Sequence, residues 1–247
     1  MFNIFSRRKS APEPLFFSTD IHCHLVPGID DGSPDVETSV ELIRSMNSWG
    51  IRRIIATPHV TEEVFENSVS TIAPPLAQLK EALQRAGINV DIDHSAEYRL
   101  DDLFKKQFAA GECKPYPNDY LLVENSWIQE PWGLDETLFD IKVKRMSPIL
   151  AHPERYTYYF DNRERLKKIH DDGTLFQVNL LSLAGHYGKD QRRQAEWLIE
   201  NDLVDFLGSD LHNASHVESI ERYLASKDYR RDRERLEGRI LNDRAFK

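Results

Sequence analysis

This sequence has few cysteines, no long apolar run and no excess of basic residues, and each of these features excludes a class of protein. The 247 residues include only Cys23 and Cys113 as cysteines, so no disulfide framework is expected and a reducing, cytoplasmic location is predicted. No segment approaches the ~20 apolar residues of a membrane-spanning helix, so stable membrane insertion is not expected. The formal net charge of −9 argues against nucleic-acid binding, which requires a basic surface.

Motifs of several phosphate-handling proteins are also missing. A cysteine-dependent phosphatase needs an arginine six positions after its cysteine, but these positions hold Ile29 and Asp119. A dehalogenase-type phosphatase needs D-x-D-x-[TV] after an apolar strand, and the nearest match, DIDHS at 91–95, ends in serine. No glycine-rich phosphate loop follows the first predicted strand. Any chemistry must therefore come from other residues.

Short apolar runs rich in β-forming residues alternate with segments of helical period. The predicted strands are 15–22, 51–57, 88–97, 119–125, 147–152, 174–181 and 203–210. Helices are predicted from Ser33-Pro34 to about Gly50, from Pro74-Pro75 to Gly87, and near 101–110, 134–145, 161–171, 188–201 and 214–226. This alternation predicts a parallel sheet. The regular spacing favours a closed α/β barrel over an open doubly wound sheet, which stays an alternative.

The chain divides into three predicted regions. Residues 1–14 form an N-terminal extension, 15–227 form the barrel domain, and 228–247 form a charged C-terminal tail. The secretory-signal interpretation of the N-terminus is disfavoured because its basic cluster follows, rather than precedes, a short apolar run. The charge of the tail favours a solvated terminal helix over a docking arm.

Histidine and carboxylate residues gather at the predicted strand ends. In TDIHCHLVPGIDDG, residues 19–32, His22 and His24 occupy positions i and i+2 of a strand, so both side chains point to the same side and can share one ion. An aspartate follows in the loop, and spacing alone allows either Asp30 or Asp31 as a ligand. The later strand ends supply His59, Glu97, Glu124, His152, Asp210 and His212.

The carboxyl ends of parallel strands meet at one rim of an α/β barrel, where function collects. These residues could be ordinary polar side chains at strand ends, but packing does not explain why all but one of the predicted strands ends this way. The pattern predicts a polynuclear metal site. Imidazole mixed with carboxylate oxygen suits Mn, Fe or Zn better than an ion that prefers thiolates.

These motifs resemble those of the PHP (polymerase and histidinol phosphatase) superfamily over residues 19–213. Within it, the sequence is most similar to the bacterial capsular- and exopolysaccharide tyrosine-protein phosphatases. The elements that carry the resemblance are HCHLVPGIDDG, TPH, AEYRL, HPERY and SDLH. HPERY is the most specific, because other PHP proteins need only its histidine. The resemblance implies a distorted (β/α)7 TIM-like barrel that holds two to three divalent ions, with manganese among the candidates.

The resemblance also implies a ligand set. His22, His24, Glu97 and Asp210 would hold the first metal, and Glu97 would bridge to the second, held with Glu124 and His152. Asp31, His59 and His212 would hold the third, so the resemblance selects Asp31 over Asp30. The family often carries a phosphate-binding arginine after SD-x-H, but this loop reads HNASHVESIER. His216 is the nearest cationic candidate there, and His186 could line the substrate mouth.

The implied activity is hydrolysis of phosphotyrosine on a protein, with water activated by the metals as the nucleophile. His152 and Asp210 would position it, and Arg155 would bind the non-bridging oxygens because its planar fork matches phosphate. The alternative for Arg155 is a surface salt bridge with Glu154. Three ions and four carboxylates leave a local charge of about +2, which attracts an anion at short range despite the net −9. No general acid can be named, since phenolate, with a parent pKa of ~10, needs little protonation.

The expected partner is a phosphotyrosine protein, by family resemblance the tail of a bacterial tyrosine kinase of polysaccharide export. Two alternatives stay open on the same scaffold. One is a histidinol-phosphate phosphatase or another small-molecule phosphomonoesterase. The other is a non-catalytic metal-binding interaction domain, which the complete ligand set argues against.

Overall fold

Parallel strands and helices alternate along residues 11–246, the part of the chain that the computed structural model describes. The strands are β1 (Thr19–Asp20), β2 (Arg53–Ala56), β3 (His59–Val60), β4 (Asp91–His94), β5 (Glu97–Arg99), β6 (Tyr120–Glu124), β7 (Ser147–Ala151), β8 (Leu175–Asn179) and β9 (Phe206–Gly208). The helices are α1 (Val36–Ser48), α2 (Val69–Arg85), α3 (Asp102–Ala110), α4 (Leu134–Val143), α5 (Arg163–Asp171), α6 (Leu180–Leu183), α7 (Lys189–Glu200), α8 (Ala214–Leu224) and α9 (Lys227–Leu236). Within these residues no helix is both long and apolar enough to cross a membrane.

The strands form a ring. β1, β2 and β4 pair in one parallel sheet, and β3, β5, β6, β7, β8 and β9 pair in a second. A parallel bridge between Cys23 and Leu211 joins the segment after β1 to the segment after β9 and closes the ring at a seam between these two strands. Asp20 supports this seam, because one of its carboxylate oxygens accepts hydrogen bonds from the backbone N–H groups of His22 and Ser209. The predicted distorted (β/α)7 barrel is confirmed.

The second and third predicted strands are each interrupted. β2 and β3 are separated at Thr57–Pro58, where proline has no N–H to give to the ladder. β4 and β5 are separated at the neighbouring Ser95–Ala96, and pairing resumes between His59 and Glu97. The break divides the sheet in two. It leaves these two predicted metal ligands opposite each other on the short segments β3 and β5.

Helix α2 begins earlier than predicted. The sequence predicts its start at Pro74-Pro75, but Ser68 is the N-cap and forms a capping box with Thr71. Both prolines therefore lie inside the helix, near its exposed N-terminal turns. The prediction was wrong because proline was taken as the first helical residue, whereas the Ser-x-x-Thr cap satisfies the free N–H groups of the first turn.

Alternate residues along the strands belong to two different hydrophobic clusters. Leu121 and Val123 of β6 face the helices, whereas Leu122 joins the cluster formed by Ile21, Ile55, Tyr116, Ile149, Ala151, Phe206, Ala245 and Phe246. The second cluster fills the barrel interior, since it draws on residues from around the ring. Residues i and i+2 share a face, so Glu124 points into the barrel above Leu122. The side chains inside the barrel are thus apolar at one end of the barrel and ionisable at the other end.

The predicted solvated tail is instead packed against the barrel. Tyr229 and Leu236 of α9 are buried, and the chain continues to Phe246, which is only 2% exposed and contacts Tyr116 and Phe206. Asn242 reaches into the seam, donating to the carbonyl groups of Thr19 and Leu207. The prediction was wrong because the many charged residues mask an apolar set that lies between them. Of the predicted N-terminal extension, residues 1–10 lie outside the described part.

Phe246→Ala should therefore destabilise the protein by about 3 kcal/mol, because a buried aromatic ring is lost from the barrel interior. Urea unfolding followed by circular dichroism measures this. Phe139→Ala is the matched control, since the Phe139 side chain on α4 is 62% exposed and should change stability by less than ~0.5 kcal/mol. Equal stability of the two variants would show that the C-terminal segment does not close the barrel.

Candidate active site

A cavity of about 490 Å³ opens at the carboxyl ends of the strands. Its floor and walls carry most of the residues that the sequence predicts as ligands. All of the predicted ligands come together here, in overlapping groups whose ligand atoms lie within 4.8 Å of one another. These groups are His24–Asp31–His59–His212, His22–Glu97–His152, His22–His24–Asp210 and His59–Glu97–Glu124. The predicted convergence of the strand ends is thus what the fold produces.

The H-x-H pair is held by hydrogen bonds on its outer ring nitrogens. Nδ1 of His22 lies 2.6 Å from Oε1 of Gln177, and Nδ1 of His24 lies 2.8 Å from Oδ2 of Asp30. Because an amide oxygen and a carboxylate only accept, each Nδ1 carries a proton, and Nε2 is the atom through which each neutral ring can bind a metal. The two Nε2 atoms are 3.3 Å apart. This is the orientation that carboxylate and amide partners impose on metal-binding histidines.

Glu97 lies at the centre of the group. Its Oε2 atom is 3.3 Å from His22 Nε2, 3.4 Å from His24 Nε2 and 3.1 Å from His59 Nδ1. Its Oε1 atom is 2.8 Å from His152 Nε2. Oε2 is buried and has no hydrogen-bond partner among the described residues. A buried carboxylate oxygen that accepts no hydrogen bond and faces several imidazole nitrogens is suited to binding a cation.

The two buried carboxylates Glu97 and Glu124 also indicate a cation site. Burial and the neighbouring Glu97 carboxylate raise the pKa of Glu124 to about 8, since two buried anions repel each other. Glu124 Oε1 lies 3.8 Å from His152 Nε2 and has no hydrogen-bond partner among residues 11–246. Arg99 pairs with the other oxygen of Glu124, Oε2. Among the described residues, one oxygen of each carboxylate, Oε2 of Glu97 and Oε1 of Glu124, accepts no hydrogen bond, which fits residues arranged to bind divalent ions.

Asp30 and Asp31 have different positions. Oδ1 of Asp31 lies 3.5 Å from His59 Nε2 and 3.6 Å from His212 Nε2, and the side chain is 58% exposed towards the cavity. Asp30 is buried behind His24, and its carboxylate also accepts from the backbone N–H groups of His59 and Gly32. The structure therefore places Asp31 in a group that could hold a metal, and Asp30 in support of it.

Two predicted ligands have strained backbones. His152 has φ 34° and Asp210 has φ 51°, values in the left-handed region that residues with a Cβ seldom adopt. His152 immediately precedes the 3-10 helix Pro153–Arg155, and the N–H of Arg155 donates to the His152 carbonyl. Such strain collects at functional sites, where the surrounding fold enforces it. Both of these predicted ligands line the cavity.

Arg155 contacts Asp210 and not Glu154. Its Nη1 lies 2.8 Å from Asp210 Oδ2, and its guanidinium lies between the rings of Trp127 at 4.4 Å and Tyr187 at 4.0 Å. Glu154 is fully buried and accepts from the Asn179 N–H and the Ser182 hydroxyl. The alternative of a surface salt bridge with Glu154 was therefore wrong. Arg155 is fixed on two faces at the wall of the cavity.

The two remaining histidines differ in exposure to the cavity. His216 lines it, whereas His186 does not; His186 packs edge-on against His216 at 4.7 Å and bonds the Ser219 hydroxyl. Burial, together with the nearby His212, lowers the pKa of His216 to about 4. A neutral His216 brings no positive charge, although it can still donate a hydrogen bond. Substrate binding by either residue stays a prediction.

Comparison with known proteins identifies the family. The sequence model described as "Capsular polysaccharide synthesis, CpsB/CapC" matches residues 18–231. The chain belongs to the CpsB/CapC family. It is 33% identical over 200 residues to the tyrosine-protein phosphatase YwqE of Bacillus subtilis, covering 78% of this chain and 77% of YwqE. It is 31% identical over 205 residues to the tyrosine-protein phosphatase CpsB of Streptococcus pneumoniae, covering 78% and 82%.

Solved structures agree with this membership in the CpsB/CapC family. One, from work on YwqE of Bacillus subtilis and CpsB of Streptococcus pneumoniae described as "unique metal-dependent tyrosine phosphatases", superposes with a TM-score of 0.78 at 29% identity, covering 92% of this chain and 96% of that one. The histidinol phosphate phosphatase of Lactococcus lactis superposes with a TM-score of 0.51 at 14% identity, covering 85% and 93%. The second likeness concerns the fold alone.

Sequence reasoning missed several residues of this CpsB/CapC site. Strand β8 ends in Gln177 and Asn179, neither an ionisable residue, yet Gln177 orients His22 and Asn179 donates to Asp210 Oδ2 at 2.6 Å. Their i, i+2 spacing at a strand end was the available signal. Arg99, two residues after Glu97, was detectable by the same rule. Trp127 and Tyr187 lie in loops, where the sequence carries no comparable signal.

Proposed function

We propose that this chain is a metal-dependent protein-tyrosine phosphatase that hydrolyses phosphotyrosine on a protein. The observation that carries the proposal is the buried Oε2 of Glu97, which accepts no hydrogen bond among the described residues and is surrounded by imidazole nitrogens directly below a cavity walled by Arg155. The names of the related proteins in Bacillus and Streptococcus support the same activity.

The residues that would hold two to three divalent ions, Mn, Fe or Zn, are those of the converging groups. They are His22, His24, Asp31, His59, Glu97, Glu124, His152, Asp210 and His212. When bound, such ions supply Lewis acidity and lower the pKa of water toward ~7. The chain's own contribution is orientation. Gln177 and Asp30 fix the two imidazoles, and Asp210 is held by Arg155 and Asn179.

The cavity wall suits an aryl phosphate ester. Trp127 and Tyr187 enclose the Arg155 guanidinium, and Val64 and Phe65 line the cavity from the loop after β3. An aromatic and apolar wall favours a phenyl ring, while the remaining guanidinium N–H groups of Arg155 can bind the phosphate oxygens. A phenolate leaving group, with a parent pKa of ~10, departs without a dedicated acid.

The proposed substrate is a phosphotyrosine segment of a bacterial tyrosine kinase in capsular or exopolysaccharide synthesis, and the proposed location is the cytoplasm. The description of the matched family supports the link to polysaccharide synthesis. Two cysteines without a disulfide, one buried and one half-buried, suit a reducing compartment.

A comparison of two substrates tests the proposed function. Protein purified without chelator should hydrolyse an aryl phosphate at least ~10²-fold faster in kcat/KM than histidinol phosphate, because phenolate needs little protonation to leave. Phosphate release is measured for both, before and after dialysis against a chelator that should remove the activity. A preference for histidinol phosphate would favour the small-molecule alternative. Full activity in protein shown by elemental analysis to be metal-free would end the metal-dependent proposal.

A further inference from the structure

Two arginines, Arg99 and Arg155, line the cavity, and they are held in different ways. Arg99 lies on β5 two residues after Glu97, so both side chains leave the strand on the same face. Its side chain is 22% exposed, and the exposed part faces the cavity. Arg99 has no role in the proposed function.

The hydrogen bonds of Arg99 leave its terminal fork free. Nε donates to Glu124 Oε2 at 2.7 Å, whereas neither terminal nitrogen forms a hydrogen bond within residues 11–246. Arg155, in contrast, gives Nη1 to Asp210 and has aromatic rings on both faces. Of these two cavity-lining guanidiniums, Arg99 keeps the complete pair of terminal NH₂ groups.

The fork is also fixed in orientation. β5 and β6 pair with Arg99 opposite Glu124, and the N–H of Leu100 donates to the Glu124 carbonyl. A guanidinium held through Nε has its plane set by that bond, so little rotational freedom is lost when an anion binds the other end. Planar, paired donors of this kind match the spacing of phosphate oxygens.

We infer that Arg99 is a substrate-binding residue, which holds the phosphate of the substrate with its terminal nitrogens while its Nε keeps Glu124 in place. The inference rests on the proposed phosphomonoesterase function. It gives the cavity a second guanidinium for a dianionic group. Arg99 would thus set the affinity for phosphate, and Arg155 would join it at the same group.

Binding of inorganic phosphate to metal-loaded protein tests the inference. Isothermal calorimetry should show the Kd rising ~10-fold in Arg99→Lys, which keeps the charge but has one nitrogen for two partners, and ~50-fold in Arg99→Met. KM for an aryl phosphate should rise with the Kd, and metal content should stay at the wild-type value. Arg239→Lys is the control, since Arg239 pairs with Asp202 and does not line the cavity.

The outcomes separate this inference from the proposed function. Unchanged phosphate affinity in both Arg99 variants overturns the inference, whether metal is retained or lost. If the affinity is unchanged and metal is lost, Arg99 serves only to hold Glu124. Should wild type bind phosphate through Arg99 but fail to hydrolyse aryl phosphates, the inference stands and the proposed activity fails. A wild type that binds no phosphate overturns the inference directly. Arg99→Lys, which preserves the contact to Glu124 best, guards against misfolding of Arg99→Met.

Discussion

Glu97→Gln is expected to lower kcat/KM for an aryl phosphate by on the order of 10³-fold or more and to reduce the bound metal below one ion per chain. Loss of a partner outside the ligand shell already costs ~10–100-fold at metal sites, and Glu97 contacts the imidazoles of more than one group. Glutamine keeps the size of the side chain but loses the anionic oxygen that faces His22, His24 and His59. Elemental analysis and phosphate release measure the two effects.

Glu81→Gln provides the matched control, because Glu81 lies on α2 with an exposed side chain outside the cavity. Circular dichroism should show that both variants fold. If Glu97→Gln retained wild-type metal content and turned over within a few-fold of wild type, Glu97 would not be a ligand, and the site would have to be reconsidered around the remaining residues.

The candidate ligands could be predicted because their placement follows from local rules. The parity of a strand puts His22 and His24 on one side, and the carboxyl ends of parallel strands meet at one rim. Neither rule needs the exact length of a strand, so the errors at β3 and β5 did not displace His59 or Glu97 from the site. The choice between Asp30 and Asp31 was different. Spacing left it open, and it depends on how the loop turns at Gly32.

Contacts that depend on how a loop folds or on which distant segments meet could not be predicted. Gly32 approaches His24 so closely that a Cβ would lie 2.1 Å from the His24 carbonyl oxygen, and no periodicity encodes this. The pairing of Arg155 with Asp210 likewise depends on the left-handed backbone at Asp210. The prediction of a solvated C-terminal tail was wrong for a related reason. Its apolar residues are few among many charges, and only the open end of the barrel shows where Phe246 belongs.

Arg155→Lys should lower kcat/KM for an aryl phosphate by ~10²-fold, about 2.7 kcal/mol, although the positive charge is kept. Lysine cannot stack as a plane between Trp127 and Tyr187, and one ammonium group cannot reach Asp210 and a phosphate oxygen with the same geometry. The effect should fall more on kcat than on KM, because the paired contact strengthens as charge develops on the transferring group.

Arg163→Lys is the matched control for this prediction. Arg163 also lies over an aromatic ring, that of Trp197 at 5.0 Å, and bonds the side chain of Gln194, but it does not line the cavity. Its replacement removes a similar stacked guanidinium and should leave kcat/KM within about twofold of wild type. Metal content should be unchanged in both variants, since neither arginine is a ligand. Normal activity of Arg155→Lys would show that a positive charge alone suffices at this position of the cavity wall. Arg99 would then be the arginine that recognises the phosphate. A loss of metal in Arg155→Lys would instead show that Arg155 acts through Asp210, by holding a ligand and not the substrate.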